Sequence, residues 1–242
     1  TELGNMSGNK LIIGGSTNGD IYVDGITQTT STFSNGVELN VDAHLSGSKG
    51  AIIFEGSASS FSTLDASAVD GVEVNANLTT TTGALTLDGD SDNAVDTLSG
   101  NDYIIFASGI TLTSAGNISL SATNGGMTAA GALTLSATSG LTMTGAMTGA
   151  GAVALTANSG ITLNSSVSTS SGSLNINANS SALSLGSVTL SSAGALTLSS
   201  SSISSSGNLA LTSTGSTISV GSAVTSSGSV AMTASSGLTL SN

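Results

Sequence analysis

The sequence predicts an all-β protein, a right-handed parallel β-helix (β-solenoid) with three strands in each coil of about 21 residues and about eleven coils. Apolar residues alternate with Ser and Thr at period two, as in Leu133-Thr134-Leu135, and Gly, Ser and Asn bound these short runs. Glu, Lys, Gln and Arg are too scarce for helices. The runs also recur with a longer period, which sets the coil.

The longer period becomes visible when the apolar runs after Phe106 are sorted into three columns. Column 1 contains Ile110, Leu133, Val153, Leu174, Leu196, Ile218 and Leu238. Column 2 contains Ile118, Leu141, Ile161, Leu183, Ile203 and Val224. Column 3 contains Met127, Met147, Val167, Val188, Leu209 and Val230. All three advance by about 21 residues a step, so each strand should pair in parallel with its counterpart one coil away.

A glycine motif and the length of the sides refine this prediction. Gly precedes an apolar run at Gly131, Gly151, Gly172, Gly194, Gly207 and Gly228, and this motif changes from column 1 to column 3 at Gly207. Inward positions should form ladders of like residues, such as Leu135, Leu155, Ile176 and Leu198. Right-handed coiling follows from the handedness of parallel crossovers, and sides of about seven residues do not fit a left-handed hexapeptide helix.

The first half of the chain follows the same plan less regularly. Its strands are predicted at residues 11–13, 21–23, 37–39, 52–54, 72–74, 85–87 and 103–106. Longer loops of Gly, Ser and Asp separate them. We therefore expect residues 1–102 to form decorated acidic coils and residues 103–242 to form regular uncharged coils of the same solenoid. The coil register before Leu85 stays open.

Charge is confined to the first part of the chain. All fourteen acidic residues, both lysines (Lys10 and Lys49) and the single His44 precede Tyr103. The later coils therefore lack the groups that most enzymes use, and we predict a protein that is not an enzyme. A net charge of −12 argues against nucleic acid and anionic membrane surfaces as partners. No apolar run is long enough for insertion into a membrane.

Residues 87–102 have the composition of a metal site. Asp88, Asp90 and Asp92 alternate as in a calcium loop, where oxygen ligands converge as the backbone curls around the ion. Asp96 and Asp102 would complete the shell. The run departs from an EF-hand at its Gly and final Glu positions, and the alternative is a solvated acidic loop. Calcium is the only cofactor that the sequence suggests.

Two stretches, VDGVEVNANLTTTTGALTLDGD (69–90) and GNISLSATNGGMTAAGALTLSATSGLTMTGA (116–146), carry a family resemblance. The chain resembles the β-helical repeat regions of large bacterial exoproteins of the filamentous-haemagglutinin-like type, and the resemblance covers most of its length. It implies a secreted or surface-displayed bacterial rod used as an adhesin, stalk or matrix fibre. The chain shows neither the amino-terminal secretion domain nor a recognisable binding domain of such proteins.

We therefore expect a non-enzymatic extracellular structural protein, a subunit or segment of a self-assembling filament. Residues 235–242 correspond to the first strand of a new coil without a polar cap. Head-to-tail contacts between copies are expected there, and uncharged coils should also pack laterally. Surface glycans remain an open partner class.

Three alternatives remain. The chain could be an excised fragment of a large secreted adhesin. It could be a carbohydrate-active β-helix enzyme, with Asp65/Asp70 or Glu38/Asp42 as paired carboxylates. It could also be an ice-binding solenoid that orders water on Thr-x-Thr rows. The Thr-x-Thr pairs begin at Thr111 and Thr142, but the positions one coil after the second pair are Thr162 and Asn164.

Overall fold

The structure, a computed structural model, describes residues 6–27, 33–42, 50–95 and 102–241, and the regular elements in these ranges are all β-strands. The strands of the early coils are β1 (Leu11–Gly15), β2 (Ile21–Asp24), β3 (Val37–Val41), β4 (Ile52–Glu55), β5 (Ser59–Phe61), β6 (Leu64–Ala68), β7 (Val72–Val74), β8 (Leu78–Thr80), β9 (Leu85–Asp88) and β10 (Tyr103–Phe106). The strands of the later coils are β11 (Ile110–Ser114), β12 (Ile118–Ser121), β13 (Gly126–Ala129), β14 (Leu133–Ala137), β15 (Leu141–Thr144), β16 (Met147–Gly149), β17 (Val153–Ala157), β18 (Ile161–Leu163), β19 (Val167–Thr169), β20 (Leu174–Asn177), β21 (Ala182–Leu185), β22 (Val188–Ser192), β23 (Leu196–Ser199), β24 (Ser202–Ser205), β25 (Leu209–Ser213), β26 (Thr217–Val220), β27 (Val224–Ser226), β28 (Val230–Ala234) and β29 (Gly237–Leu240).

These strands form three parallel sheets, because each strand pairs with its counterparts one coil before and one coil after. Sheet 1 has nine strands, in the order β5-β8-β11-β14-β17-β20-β23-β26-β29. Sheet 2 has ten, in the order β1-β3-β6-β9-β12-β15-β18-β21-β24-β27. Sheet 3 has ten, in the order β2-β4-β7-β10-β13-β16-β19-β22-β25-β28. The predicted parallel β-solenoid with three strands per coil is confirmed, and its handedness stays a prediction.

The predicted coil number and period agree closely with the structure. The solenoid has about ten coils of about 22 residues, where the sequence predicts about eleven coils of about 21. The small difference comes from the early coils, where long loops lengthen single turns. The turn from Leu85 to its partner Ile118 contains the whole acidic loop. The regular later coils, which set the predicted period, have shorter turns than the average.

The pairing register confirms columns 1 and 2 at every step and corrects column 3 once. Val167 pairs with Leu190 and not with Val188. Beyond that point Val188 pairs with Leu209, as predicted. Both Val188 and Leu190 are buried. A slip of two residues keeps the same side chains inward, so the apolar alternation could not distinguish the two registers.

All seven strands predicted in the first half are confirmed, while three strands there were missed. The missed strands are β5, β6 and β8. Strand β6 shows why: its inward residues are Leu64, Ala66 and Ala68, and two of these three are too small to give a clear apolar signal.

A single apolar core runs along the axis of the solenoid. The predicted ladder of Leu135, Leu155, Ile176 and Leu198 is confirmed, and its members are at most 1% exposed. Phe54, Phe61 and Phe106 fill the early coils, whereas Leu, Ile, Val and Met fill the later ones. The core is continuous across Tyr103, because every sheet contains strands from both parts of the chain.

The glycine motif marks corners where successive coils stack too closely for a side chain. A Cβ on Gly151 would lie 2.7 Å from the backbone of Gly131, one coil before. A Cβ on Gly228 would lie 2.8 Å from the backbone of Gly207. Gly131 and Gly151 precede strands of sheet 1, whereas Gly207 and Gly228 precede strands of sheet 3. The predicted change at Gly207 therefore means that the glycine motif moves from the corner before sheet 1 to the corner before sheet 3.

The register predicts a sharp contrast between inward and outward sites. Leu155→Asp places an unpaired charge in the core ladder and should lower the free energy of unfolding by several kcal/mol. Thr162→Asp on the outer face of β18 should have a small effect. Urea unfolding followed by circular dichroism measures both, and equal destabilisation would contradict the inward and outward assignment.

Candidate functional site

The acidic loop is tied to the next coil by Asp90. This residue is fully buried, and its Oδ2 accepts a hydrogen bond from the Asn124 backbone N–H at 2.8 Å. Its Oδ1 accepts a longer one, at 3.4 Å, from Asn124 Nδ2. Asp88 and Asp92 shape the loop itself, since each accepts a bond from the backbone N–H two residues later, at 3.1 and 3.0 Å. The three carboxylates therefore have structural roles.

The other predicted calcium ligands are Asp96 and Asp102. Asp102 is 5% exposed, and its backbone carbonyl accepts a hydrogen bond from Gly125 N–H at 3.0 Å. Asp90 and Asp102 thus border the same turn of the following coil. Asp96 lies outside the described residues. Within the described ranges, no three acidic, His or Cys side chains come together as a metal site, and calcium binding stays a prediction.

If the loop binds calcium, millimolar calcium should raise the melting temperature of chelator-treated protein, because a ligand that binds only the folded state stabilises it. Asp90→Ala should abolish this shift, whereas Asp42→Ala, which removes an exposed carboxylate outside the loop, should keep it. Each variant is compared with its own calcium-free melting temperature, since Asp90→Ala also breaks the contact with Asn124. Equal melting temperatures of the unmodified protein with and without calcium would contradict calcium binding. The Asp residues of the loop would then have only a structural role.

A row of carboxylates crosses the outer face of sheet 2. Glu38 on β3 pairs with Asp65 on β6, and Asp65 pairs with Thr86 on β9. Asp88 lies two residues further along β9. Lys10 forms an ion pair with Glu38. We call Lys10, Glu38, Asp65 and Asp88 the charged row.

The charged row differs from the carboxylate pairs that the sequence suggested. Asp65 faces outward on β6, but Asp70 lies in the turn after β6 and is only 3% exposed. The close pair is Glu38 with Asp65, from adjacent coils. Sequence reasoning missed this pair because the register before Leu85 was not known. His44 and Lys49 lie outside the described residues.

Partial burial and the proximity of like and unlike charges change the pKa values of residues in the charged row. Partial removal of water raises the pKa of Asp65, and the negative charge of Glu38 adds to the effect. The pKa of Asp88 is also raised, first by desolvation, although the hydrogen bond from Asp90 N–H opposes the rise. The hydrogen bond to Glu38 raises the pKa of Lys10. Ionised Asp65 and Asp88 therefore cost stability at neutral pH.

The raised pKa values of Asp65 and Asp88 determine how the stability of the folded protein changes with pH. A carboxyl whose pKa is raised by folding stabilises the protein below its usual pKa of about 3.9, and this contribution is lost as the pH rises through the raised value. Asp65→Asn should therefore raise the melting temperature at pH 7, by about 1–3 °C for a largely exposed group, and have less effect at about pH 3.5. Thermal melts with Asp42→Asn as control measure this difference. An equal change at both pH values would contradict the assignment.

Beyond the charged row, the same outer position of sheet 2 carries only hydroxyls. The residues in register are Thr86, Ser119, Thr142, Thr162, Ser184, Ser204 and Thr225. A 420 Å³ cavity lies over Ser119, Thr142 and Thr162, and a 370 Å³ cavity that shares Thr162 and Ser184 continues over Ser204. We call this surface, from Ser119 to Ser204, the hydroxyl groove. A search for single Ser or Thr residues at the coil period would have found it in the sequence.

The two Thr-x-Thr pairs lie on different faces of the solenoid. Thr111 and Thr113 belong to β11 of sheet 1, whereas Thr142 and Thr144 belong to β15 of sheet 2. On sheet 1 the row is broken where Thr134 pairs with Ala154. On sheet 2, Asn164 occupies the position after Thr144 and donates a hydrogen bond to its Oγ1 at 3.2 Å. Ice binding stays a prediction, and neither row is an unbroken double row of Thr.

Comparison with protein-family models, with curated proteins and with solved structures gives no match to this chain. The parallel solenoid is therefore established by the structure itself, while the family resemblance rests on the sequence stretches alone. In the part of the chain that the structure describes, no helix has the length and apolar character needed to cross a membrane.

Proposed function

We propose that the protein is a structural rod, a non-enzymatic β-solenoid segment of an extracellular filament, stalk or matrix fibre. The observation that carries the proposal is the unbroken stacking of coils around a single apolar core. Each coil lengthens the rod by about 4.8 Å, so about ten coils give a rod on the order of 50 Å long. A stack of this kind serves to span distance, since each coil contacts only its neighbours.

The apolar rim at β29 supports assembly through the ends of the rod. Leu238 and Leu240 are 49% and 61% exposed, whereas their partners one coil earlier, Ile218 and Val220, are at most 1% exposed. The difference arises because β26 is covered by a following coil and β29 is not. Covering a Leu side chain contributes about 1.5–3 kcal/mol, so a further coil stacked here would be stabilising.

The opposite end of the described solenoid also exposes apolar side chains. Ile13 is 39% exposed there, and it lines an apolar pocket of 130 Å³ together with Ile21, Val37 and Phe61. The strands are parallel, so the two ends differ and one end can meet the other head to tail. Such a contact does not close on itself and generates a filament.

The extracellular and bacterial setting rests on the resemblance of residues 69–90 and 116–146 to filamentous-haemagglutinin-like repeats. The main alternative, a segment of a larger adhesin, uses the same rod. In that case the next coil over β29 comes from the same polypeptide and not from a second copy. The two possibilities differ in the behaviour of the isolated 242-residue chain.

The filament proposal is tested by charging the rim. The unmodified chain should form head-to-tail oligomers or fibres with an axial spacing of about 4.8 Å. Leu238→Lys with Leu240→Lys should keep it monomeric, because two charges would have to be buried at the contact. Ser219→Lys with Thr239→Lys adds the same charge on the outer face of sheet 1 and should leave assembly intact. Sedimentation velocity, electron microscopy and fibre diffraction give the readouts, and a stable monomer of the unmodified chain would contradict the filament.

A further inference from the structure

The hydroxyl groove holds polar groups that the fold itself does not use. Thr142, Thr162 and Ser184 are half-buried on the floor of the groove. Among the described residues, none of these three hydroxyls has a hydrogen-bond partner. Hydroxyls at the corners of the coils behave differently, since Ser192 and Ser213 donate to glycine carbonyls at 2.8 and 2.7 Å. The floor of the groove is thus a row of available donors and acceptors.

The walls of the groove are held in place by hydrogen bonds between coils. On one side, Asn117 Oδ1 accepts a bond from Gly140 N–H at 2.8 Å. On the other side, Asn164 Nδ2 donates to Thr144 Oγ1 at 3.2 Å. The floor is fixed by the strand pairing of sheet 2. A ligand would therefore meet a preformed surface and cost little ordering of the protein.

Charge and spacing define what the groove would bind. Its lining contains no ionisable side chain, and the charged row at the start of sheet 2 places Glu38, Asp65 and Asp88 along the same face. An anionic polymer lying along this face would be repelled. The floor hydroxyls repeat at about 4.8 Å, which suits a polymer with a regular repeat more than a compact small molecule. Neutral sugars carry hydroxyls that both donate and accept, as the floor hydroxyls do.

We propose that the hydroxyl groove binds a neutral linear polysaccharide along the axis of the rod. The hydroxyls of Thr142, Thr162 and Ser184 form hydrogen bonds with the hydroxyls of successive sugar units. This partner goes beyond the rod function and does not depend on head-to-tail assembly. A rod with such a groove would attach along its length to a neutral glycan matrix.

Affinity electrophoresis in native gels tests this proposal. All proteins in this test carry Leu238→Lys with Leu240→Lys, so that fibres do not prevent entry into the gel. The remaining negative net charge drives them through gels that contain hydroxyethyl cellulose, galactomannan or soluble amylose as neutral probes, and carboxymethyl cellulose as an anionic probe. At least one neutral polymer should retard the protein, and carboxymethyl cellulose should not. The triple variant Thr142→Val, Thr162→Val and Ser184→Ala should weaken the apparent affinity by about tenfold or more, since three hydrogen bonds are lost.

A matched control distinguishes the effect of losing the groove hydroxyls from the effect of losing any three outward hydroxyls. Thr134→Val, Ser136→Ala and Thr156→Val make the same changes on the outer face of sheet 1 and should keep the affinity. Circular dichroism and electron microscopy check that both triple variants remain folded rods. Failure of all neutral polymers to retard the protein with the intact groove would overturn the proposal, as would equal weakening in both variants. Narrower lateral bundles in the groove variant, without any polymer effect, would overturn it in favour of a second copy in the groove.

Discussion

The stacking of each coil on the next is the constraint on which the rest of the structure depends. The three short strands of a coil do not pair with one another, so their backbone groups pair with the strands of the coils before and after. The same spacing brings Leu135, Leu155 and Ile176 into contact along the axis. It also excludes a side chain at Gly151, where the corner passes over Gly131. The stacking of coils therefore explains why aliphatic residues recur at inward positions and why glycine recurs at the corners.

The abundance of Ser and Thr has two physical origins in this fold. At corners, short hydroxyl side chains turn back to the chain: Ser205 donates to the carbonyls of Gly186 and Gly207 at 2.8 and 3.0 Å, and is almost fully buried. On the outer faces, hydroxyls give the later coils a polar surface without charged side chains. The hydroxyl groove belongs to the second class, and its half-buried members are the ones available to a ligand.

Charge divides the solenoid into parts with different electrostatic behaviour, although the sheets run through both. In the early coils, partial burial raises the pKa values of Asp65 and Asp88, and the negative charge of neighbouring carboxylates adds to the rise. The later coils carry no charged side chain after Tyr103 at neutral pH. Electrostatic repulsion between like-charged groups is therefore confined to the early coils, and the later coils can approach a neutral surface or polymer closely.

The sequence by itself determined the fold class, the three strands per coil and most of the register, because inward ladders need apolar residues at a fixed period. It could not place Val167 opposite Leu190, since a slip of two residues preserves the inward face. Tertiary structure alone decided that Glu38 meets Asp65, because that contact depends on loop lengths with no periodic signal. It also decided that Asp90 is buried against Asn124, and that hydroxyls spaced one coil apart share a groove. Periodicity reports which side chains point inward, whereas outer-face neighbours depend on how far each loop carries the chain before the next strand begins.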